Sequence, residues 1–80
     1  MQQKHPNLIK LGKKIRDCRK KLGYSQEAIA AEAELDRAYM GRVERGEANI
    51  SFQNLVKISI ALGVEVVVLI PPLKELEYPS

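Results

Sequence analysis

Residues 26–45, QEAIAAEAELDRAYMGRVER, decide the fold of this 80-residue chain. Apolar residues recur at helical spacing in two short segments, 26–33 and 37–45. Ser25 precedes the first segment and Asp36 precedes the second, and both are residue types that cap helix N-termini. The spacing predicts two helices that cross through a tight turn.

Three further segments flank this pair. Apolar residues at spacings of three and four predict a helix over about 8–22, and Ser51 opens another over about 52–62. Residues 65–70 are rich in β-branched side chains, so their propensity alone would allow a strand. The four predicted helices make an all-α, compact bundle with a central helix-turn-helix. It is one domain, 1–80, with an ordered core of about 8–72 and a frayed tail from Leu73.

The predicted helix 37–45 has two unlike faces when its residues are placed about 100° apart. The apolar face comprises Tyr39, Met40, Val43 and Glu44, and the opposite face comprises Arg37, Ala38, Gly41, Arg42 and Arg45. Arginine can bind guanine through two hydrogen bonds or hold a phosphate, and small residues let a helix approach base edges. This favours a second helix that enters the DNA major groove, with an ordinary solvated arginine face as the alternative.

Gly41 supports a close approach to this face. A glycine inside a helix costs about 1 kcal/mol relative to alanine, which indicates that something must lie near its backbone. That partner is either DNA or another segment of protein.

The start of the helix 26–33 is a candidate phosphate site. Its free backbone N–H groups and its helix dipole attract an anion, and Gln26 adds a neutral donor beside Ser25. We also assign Arg45 to phosphate. Asn49, which follows Gly46, serves either a phosphate or only a turn.

The charge distribution favours a polyanionic partner. The net charge is +3, and residues 1–24 carry eight basic residues against one acid, Asp17. Cys18 is the single cysteine and lies on an apolar stripe, so we expect a buried side chain in a reducing, cytoplasmic location. No apolar run is long enough to predict a membrane span.

No constellation of residues predicts an enzyme. His5 is the single histidine, Ser25 has no nearby base, and no paired-carboxylate, glycine-rich phosphate-binding or metal-ligand pattern occurs. We expect no catalytic residue, no metal and no cofactor.

Five motifs in order resemble the Cro and phage-repressor type of helix-turn-helix proteins, the XRE family, and especially the controller proteins of restriction–modification systems. They are 26–30 QEAIA, 35–40 LDRAYM, 43–46 VERG, 49–51 NIS and 61–64 ALGV. The resemblance covers about residues 8–70. It implies a compact five-helix bundle, in which residues 65–70 form a short fifth helix, which we favour, or a strand that pairs across the dimer. It also implies a homodimeric regulator of transcription, such as a repressor, that binds a palindromic DNA operator.

The resemblance also implies individual roles. Gln26 would bind phosphate, and Arg19 would pair with Glu44 beneath the recognition helix. The base-facing residues would be Arg37, Ala38, Gly41 and Arg42.

The sequence departs from the family at three places. Glu34 stands where the turn usually has glycine, so a left-handed conformation there would cost on the order of 1 kcal/mol. Glu47, in the loop after the recognition helix, is expected to repel nearby phosphate. Val67 and Val68 replace polar residues that are usual in the fifth helix.

The apolar tail predicts a two-fold dimer, because so small a domain is not expected to leave a continuous apolar segment exposed to solvent. The predicted interface comprises Val66, Val67, Val68, Leu69 and Ile70. The two recognition helices would then reach half-sites about 34–36 Å apart. The competing hypothesis is a protein-interaction module, such as the antitoxin half of a toxin–antitoxin pair or a domain that binds a polymerase.

Overall fold

The structure is a computed structural model that describes residues 4–79 of the chain. Residues 1–3 and 80 of the predicted domain lie outside the described residues. The elements in order are α1 (Pro6–Lys21), α2 (Gln26–Glu32), α3 (Arg37–Glu44), α4 (Phe52–Leu62), α5 (Val66–Leu69) and a 3₁₀ turn (Leu73–Glu75). Over this range the chain is helical without strands, which confirms the all-α, five-helix prediction and excludes the strand alternative for residues 65–70.

The predicted caps start the helices. The side chains of Ser25, Asp36 and Ser51 each accept a hydrogen bond from a backbone N–H three residues later, at 3.0, 3.3 and 3.1 Å. These bonds satisfy donors that have no partner inside the helix, so three short helices begin where the sequence places them. Helices α2 and α3 end one residue before the predicted ends, while α4 has the predicted bounds.

Helix α1 begins two residues earlier than predicted. His5 Nδ1 accepts the Asn7 backbone N–H at 3.1 Å, and Pro6 occupies the first helical position. Proline is favoured there because an N–H at the first helical position would have no acceptor inside the helix, so its absence costs nothing. The predicted start lies at Leu8 because the apolar stripe begins there, and the stripe gives no information on the two residues before it.

The core lies where all five helices meet. Its fully buried side chains are Ile15, Ile29, Met40, Ile58 and Leu69. Helices α1 and α3 cross closely at Gly12, where a Cβ atom would lie 2.7 Å from the Glu44 carbonyl oxygen. Glycine at this position lets α3 lie directly against α1.

A buried ion pair joins the same two helices. Arg19 Nε donates to Glu44 Oε2 at 2.7 Å and Nη2 donates to Oε1 at 2.9 Å, while Nη1 donates to the Tyr24 carbonyl at 2.8 Å. The two side chains are 9% and 2% exposed. The hydrogen bond with Glu44 raises the pKa of Arg19 above its ordinary value despite the opposing effect of burial.

Two predictions for the C-terminal part are wrong. Leu69 lies inside the protomer's own core, so it cannot form the dimer surface assigned to it. The tail is held as far as Glu77 and does not fray from Leu73, because the Asn7 side chain pairs with the backbone N–H and carbonyl of Glu77, both at 2.7 Å. Lys10 Nζ also donates to the Glu75 carbonyl.

No single helix in the described part of the chain is long and apolar enough to cross a membrane. The α4 segment and the segment from Val66 to Glu75 reach that length only together, and they are bent by 101°.

In the turn of the helix-turn-helix, one residue has the left-handed backbone conformation although it is not glycine. Glu34 has a φ of 57° and is exposed. A side chain in this conformation costs about 1–2 kcal/mol, so the family-like turn is retained with strain at one residue.

We expect Glu34→Gly to raise the free energy of unfolding by about 1 kcal/mol because glycine adopts positive φ without a Cβ penalty. Glu32→Gly is the matched control, since it removes the same charge from a helical residue and should lower stability by up to about 1 kcal/mol. Urea denaturation measures both. Equal destabilisation by the two substitutions would contradict strain at residue 34.

We expect Arg19→Met to lower the free energy of unfolding by about 3–5 kcal/mol, since it leaves the Glu44 carboxylate buried without its partner. Lys13→Met is the control on the same helix. It breaks an exposed pair with Asp17, which should contribute less than about 1 kcal/mol. A loss for Arg19→Met as small as that of the control would mean that the pair does not hold α3 on α1.

Candidate nucleic-acid interface

The exposed face of α3 and the start of α2 enclose one open cleft of about 460 Å³. The cleft is lined by Gln26, Arg37, Ala38, Gly41, Arg42 and Arg45. It therefore contains all four residues predicted to face bases, together with two of the four assigned to phosphate. Three arginines line it, and no acidic side chain among the described residues does.

The base of the cleft is fixed by a hydrogen-bond network. Gln26 Nε2 donates to Glu44 Oε1 at 3.0 Å, so the α2 start is tied to the carboxylate that already binds Arg19. One N–H of the Gln26 amide remains for a ligand, because a side-chain amide carries two. The network therefore positions α2, α3 and α1 relative to one another beneath the exposed arginines.

Tyr39 connects α3 to the rest of the bundle on its other side. Its hydroxyl oxygen accepts from Asn54 Nδ2 of α4 at 3.1 Å. Met40 and Val43 are buried beside it. Helix α3 is thus held from two sides, and its arginine face remains open.

The structure favours a protein explanation for Gly41. This residue is buried. A Cβ atom there would lie 3.0 Å from Arg45 Nη1 and 3.4 Å from Gln26 Oε1. The close neighbours are therefore side chains of the same protomer. Gly41 still lines the cleft, but DNA is not needed to explain why glycine occupies the position.

The remaining phosphate candidates differ in placement. The Ser25 side-chain oxygen caps α2, as the sequence predicts, and the residue stays exposed beside the cleft. Asn49 is exposed in the loop between α3 and α4 and does not line the cleft.

A second group of basic residues extends this surface and was not assigned from the sequence. Lys4, Lys13 and Arg16 line a neighbouring cleft of about 370 Å³ that shares Gln26 and Arg45 with the first. The excess of positive charge over residues 1–24 contained the signal, but it did not identify which α1 residues face α3.

Glu47, which we predicted to repel nearby phosphate, is buried and paired with Arg45 in the structure. Its side chain is 8% exposed, and Oε2 accepts from Arg45 Nε at 3.1 Å. Lys4 Nζ lies 3.8 Å from the same oxygen. The hydrogen bond from Arg45 holds the pKa of Glu47 below its ordinary value, and the nearby charges of Lys4 and Arg42 act in the same direction.

The predicted dimer surface is smaller than the run 65–70 suggests. Val67, Val68 and Ile70 are 73%, 47% and 38% exposed, whereas Val66 is partly buried against the core. Three apolar side chains of α5 and its end therefore remain available to a second copy.

Comparison with known proteins supports these observations independently. A helix-turn-helix family model matches residues 15–69. The chain is 46% identical over 57 residues to the control protein C.MunI of a Mycoplasma species, covering 70% of this chain and 77% of that protein. It is 36% identical over 69 residues to the transcriptional regulator SinR of Bacillus subtilis, covering 85% and 62%.

A solved structure has the same fold. The restriction–modification controller protein C.AhdI of Aeromonas hydrophila superposes with a TM-score of 0.80 at 42% identity. The match covers 81% of this chain and 98% of that one. The sequence motifs, the crossed pair α2–α3 and these similarities lead to one conclusion: the chain belongs to the helix-turn-helix family, in its Cro and phage-repressor (XRE) type.

Proposed function

We propose that this protein is a transcriptional regulator that binds a palindromic DNA operator as a homodimer, with α3 in the major groove. The observation that carries the proposal is the cleft of about 460 Å³, in which three arginines and two small residues of α3 stand beside Gln26. The match to control proteins and to SinR supports the same function. Because the proposed ligand is DNA, we retain the predicted cytoplasmic location.

The side chains of the cleft fall into two chemical roles. Arg37 and Arg42 are exposed on α3 and can each offer a fork of N–H donors to guanine O6 and N7. Ala38 is small and exposed, so a base edge can approach the helix closely there. Gln26 and the α2 start offer N–H donors to the phosphate backbone, which would fix the register of the helix.

Binding, and not catalysis, is the proposed action of this site. The cleft offers donors and positive charge, which suit a polyanion, but it contains no nucleophile paired with a base. His5 caps α1 and is not among the residues that line the cleft.

A dimer follows from the energy that one helix can supply. Two or three good base contacts give roughly 2–6 kcal/mol of discrimination, whereas specific binding typically exceeds non-specific binding by about 4–10 kcal/mol. Two copies related by a two-fold axis make up the difference. The exposed side chains Val67, Val68 and Ile70 provide an apolar patch for that association.

Binding sites selected from random duplex DNA test the function directly. We expect Arg37→Ala to relax preference at one base position, with a loss of about 1–3 kcal/mol for the preferred base. Gln26→Ala should weaken binding to all sequences alike, since phosphate contacts carry no direct sequence information. Binding isotherms on the selected duplex and on single-base variants measure both effects.

Two controls accompany these variants. Thermal unfolding checks that Gln26→Ala leaves the fold intact, because Glu44 keeps its bonds to Arg19. The log–log dependence of affinity on salt should be steep for the unaltered protein. Equal losses for Arg37→Ala and Gln26→Ala on every sequence would overturn the assignment of roles.

We expect Val67→Glu to convert a dimer to a monomer at micromolar concentration, because the new charges would meet near the two-fold axis. Sedimentation velocity without DNA measures the mass. Ile60→Glu is the matched control, since Ile60 is 75% exposed in the groove between α2 and α4. A monomeric unaltered protein under these conditions would contradict the proposed assembly.

A further inference from the structure

Glu47 is a buried carboxylate next to the proposed DNA surface. It lies just after α3, and its side chain is 8% exposed. Oε2 bonds to Arg45, whereas Oε1 is buried and has no hydrogen-bond partner among residues 4–79. An incompletely paired buried carboxylate is unfavourable for stability. The stability of the fold therefore does not by itself explain this residue.

The consequence of the contact lies on Arg45. Its Nε donates to Glu47, neither Nη group has a hydrogen-bond partner among residues 4–79, and the side chain is 56% exposed. Nη1 lies 3.0 Å from the position of a Cβ atom on Gly41. The guanidinium therefore extends back along α3 into the cleft, beside Gln26 and Arg42.

We propose that Glu47 is a positioning residue that aims the Arg45 guanidinium into the cleft as a two-pronged donor to DNA. The proposal rests on the proposed function of this site. Glu47 accepts from Nε, so the guanidinium is held in one orientation while its two Nη groups keep their donors. Gly41 leaves room for this arrangement, because a Cβ atom there would lie 3.0 Å from Nη1 and the guanidinium would have to shift by a few tenths of an ångström.

On the DNA, the Arg45 guanidinium would bind two acceptor atoms that are close enough to accept from both Nη groups at once. Guanine O6 and N7 and two phosphate oxygens both fit this description. The two sources differ in their readout. A base contact changes preference at one position of the site, whereas a phosphate contact lowers the salt slope by about one and leaves preference unchanged.

For the substitution Glu47→Gln, the proposal predicts a change in DNA affinity opposite in sign to the change expected from charge alone. A carboxylate near DNA repels phosphate, so Glu47→Gln would strengthen binding if charge alone mattered. If Glu47 positions Arg45, the same substitution weakens binding roughly two- to tenfold, because a freed arginine must be ordered again on the DNA. Glu32→Gln is the charge-matched control, since Glu32 lines the groove between α2 and α4.

A double-mutant cycle separates positioning from a general effect on the fold. In an Arg45→Ala background, Glu47→Gln should no longer change DNA affinity, because the residue that it orients is absent. Arg45→Lys should weaken binding although it keeps the charge, since lysine has no fork of donors. Gly41→Ala should displace Arg45 and reproduce part of this loss, while thermal unfolding reports the stability of every variant.

These experiments separate failure of the positioning role of Glu47 from failure of the proposed DNA binding. If the unaltered protein selects no duplex sequence, the proposed function fails. If it binds a selected duplex and Glu47→Gln binds equally or more tightly, only the positioning role is overturned. A loss from Glu47→Gln that persists unchanged in the Arg45→Ala background also overturns it. A loss that disappears in that background supports it.

Discussion

The structure depends on one buried carboxylate. Glu44 accepts two hydrogen bonds from Arg19 of α1 and one from Gln26 of α2, so a single side chain of α3 fixes three helices. A buried ion pair is not an efficient source of net stability, because removing two charges from water is expensive. Its value here is geometric. The bidentate contact allows few orientations, and α3 therefore presents a defined face to solvent.

Gly12 explains why this carboxylate can reach Arg19. The close crossing of α1 and α3 brings the Glu44 backbone against α1, and a Cβ atom at Gly12 would force the helices apart. The glycine and the ion pair are thus two parts of one constraint. One permits the approach, and the other sets the orientation within it.

Much of the fold could be predicted because its signals are local. Capping by Ser25, Asp36 and Ser51 needs only residues within one helical turn, and these starts agree with the structure. The tail could not be predicted in this way. Its position depends on hydrogen bonds between Asn7 and Glu77, which are 70 residues apart, and the sequence around neither residue predicts the contact.

The candidate site shows a similar division. The periodicity of α3 correctly grouped Arg37, Ala38, Gly41 and Arg42 on one side, since helical geometry fixes that relation. Treating residues 66–70 as one continuous interface failed at Leu69, because successive residues of a helix point in different directions. The Arg19–Glu44 pair, which the family resemblance implied, is present in the structure but could not be derived from spacing alone.

Glu47 illustrates the limit of reading charge from sequence. A loop carboxylate after a recognition helix suggests repulsion of DNA, but the sequence shows neither its burial nor its bond to Arg45. Once a charge is paired, its influence at a distance is largely that of the pair, whereas its influence on the partner's orientation remains. The donors that the cleft offers therefore cannot be found by counting arginines and glutamates. They depend on which guanidinium nitrogens are already bonded, and for Arg45 Glu47 occupies Nε.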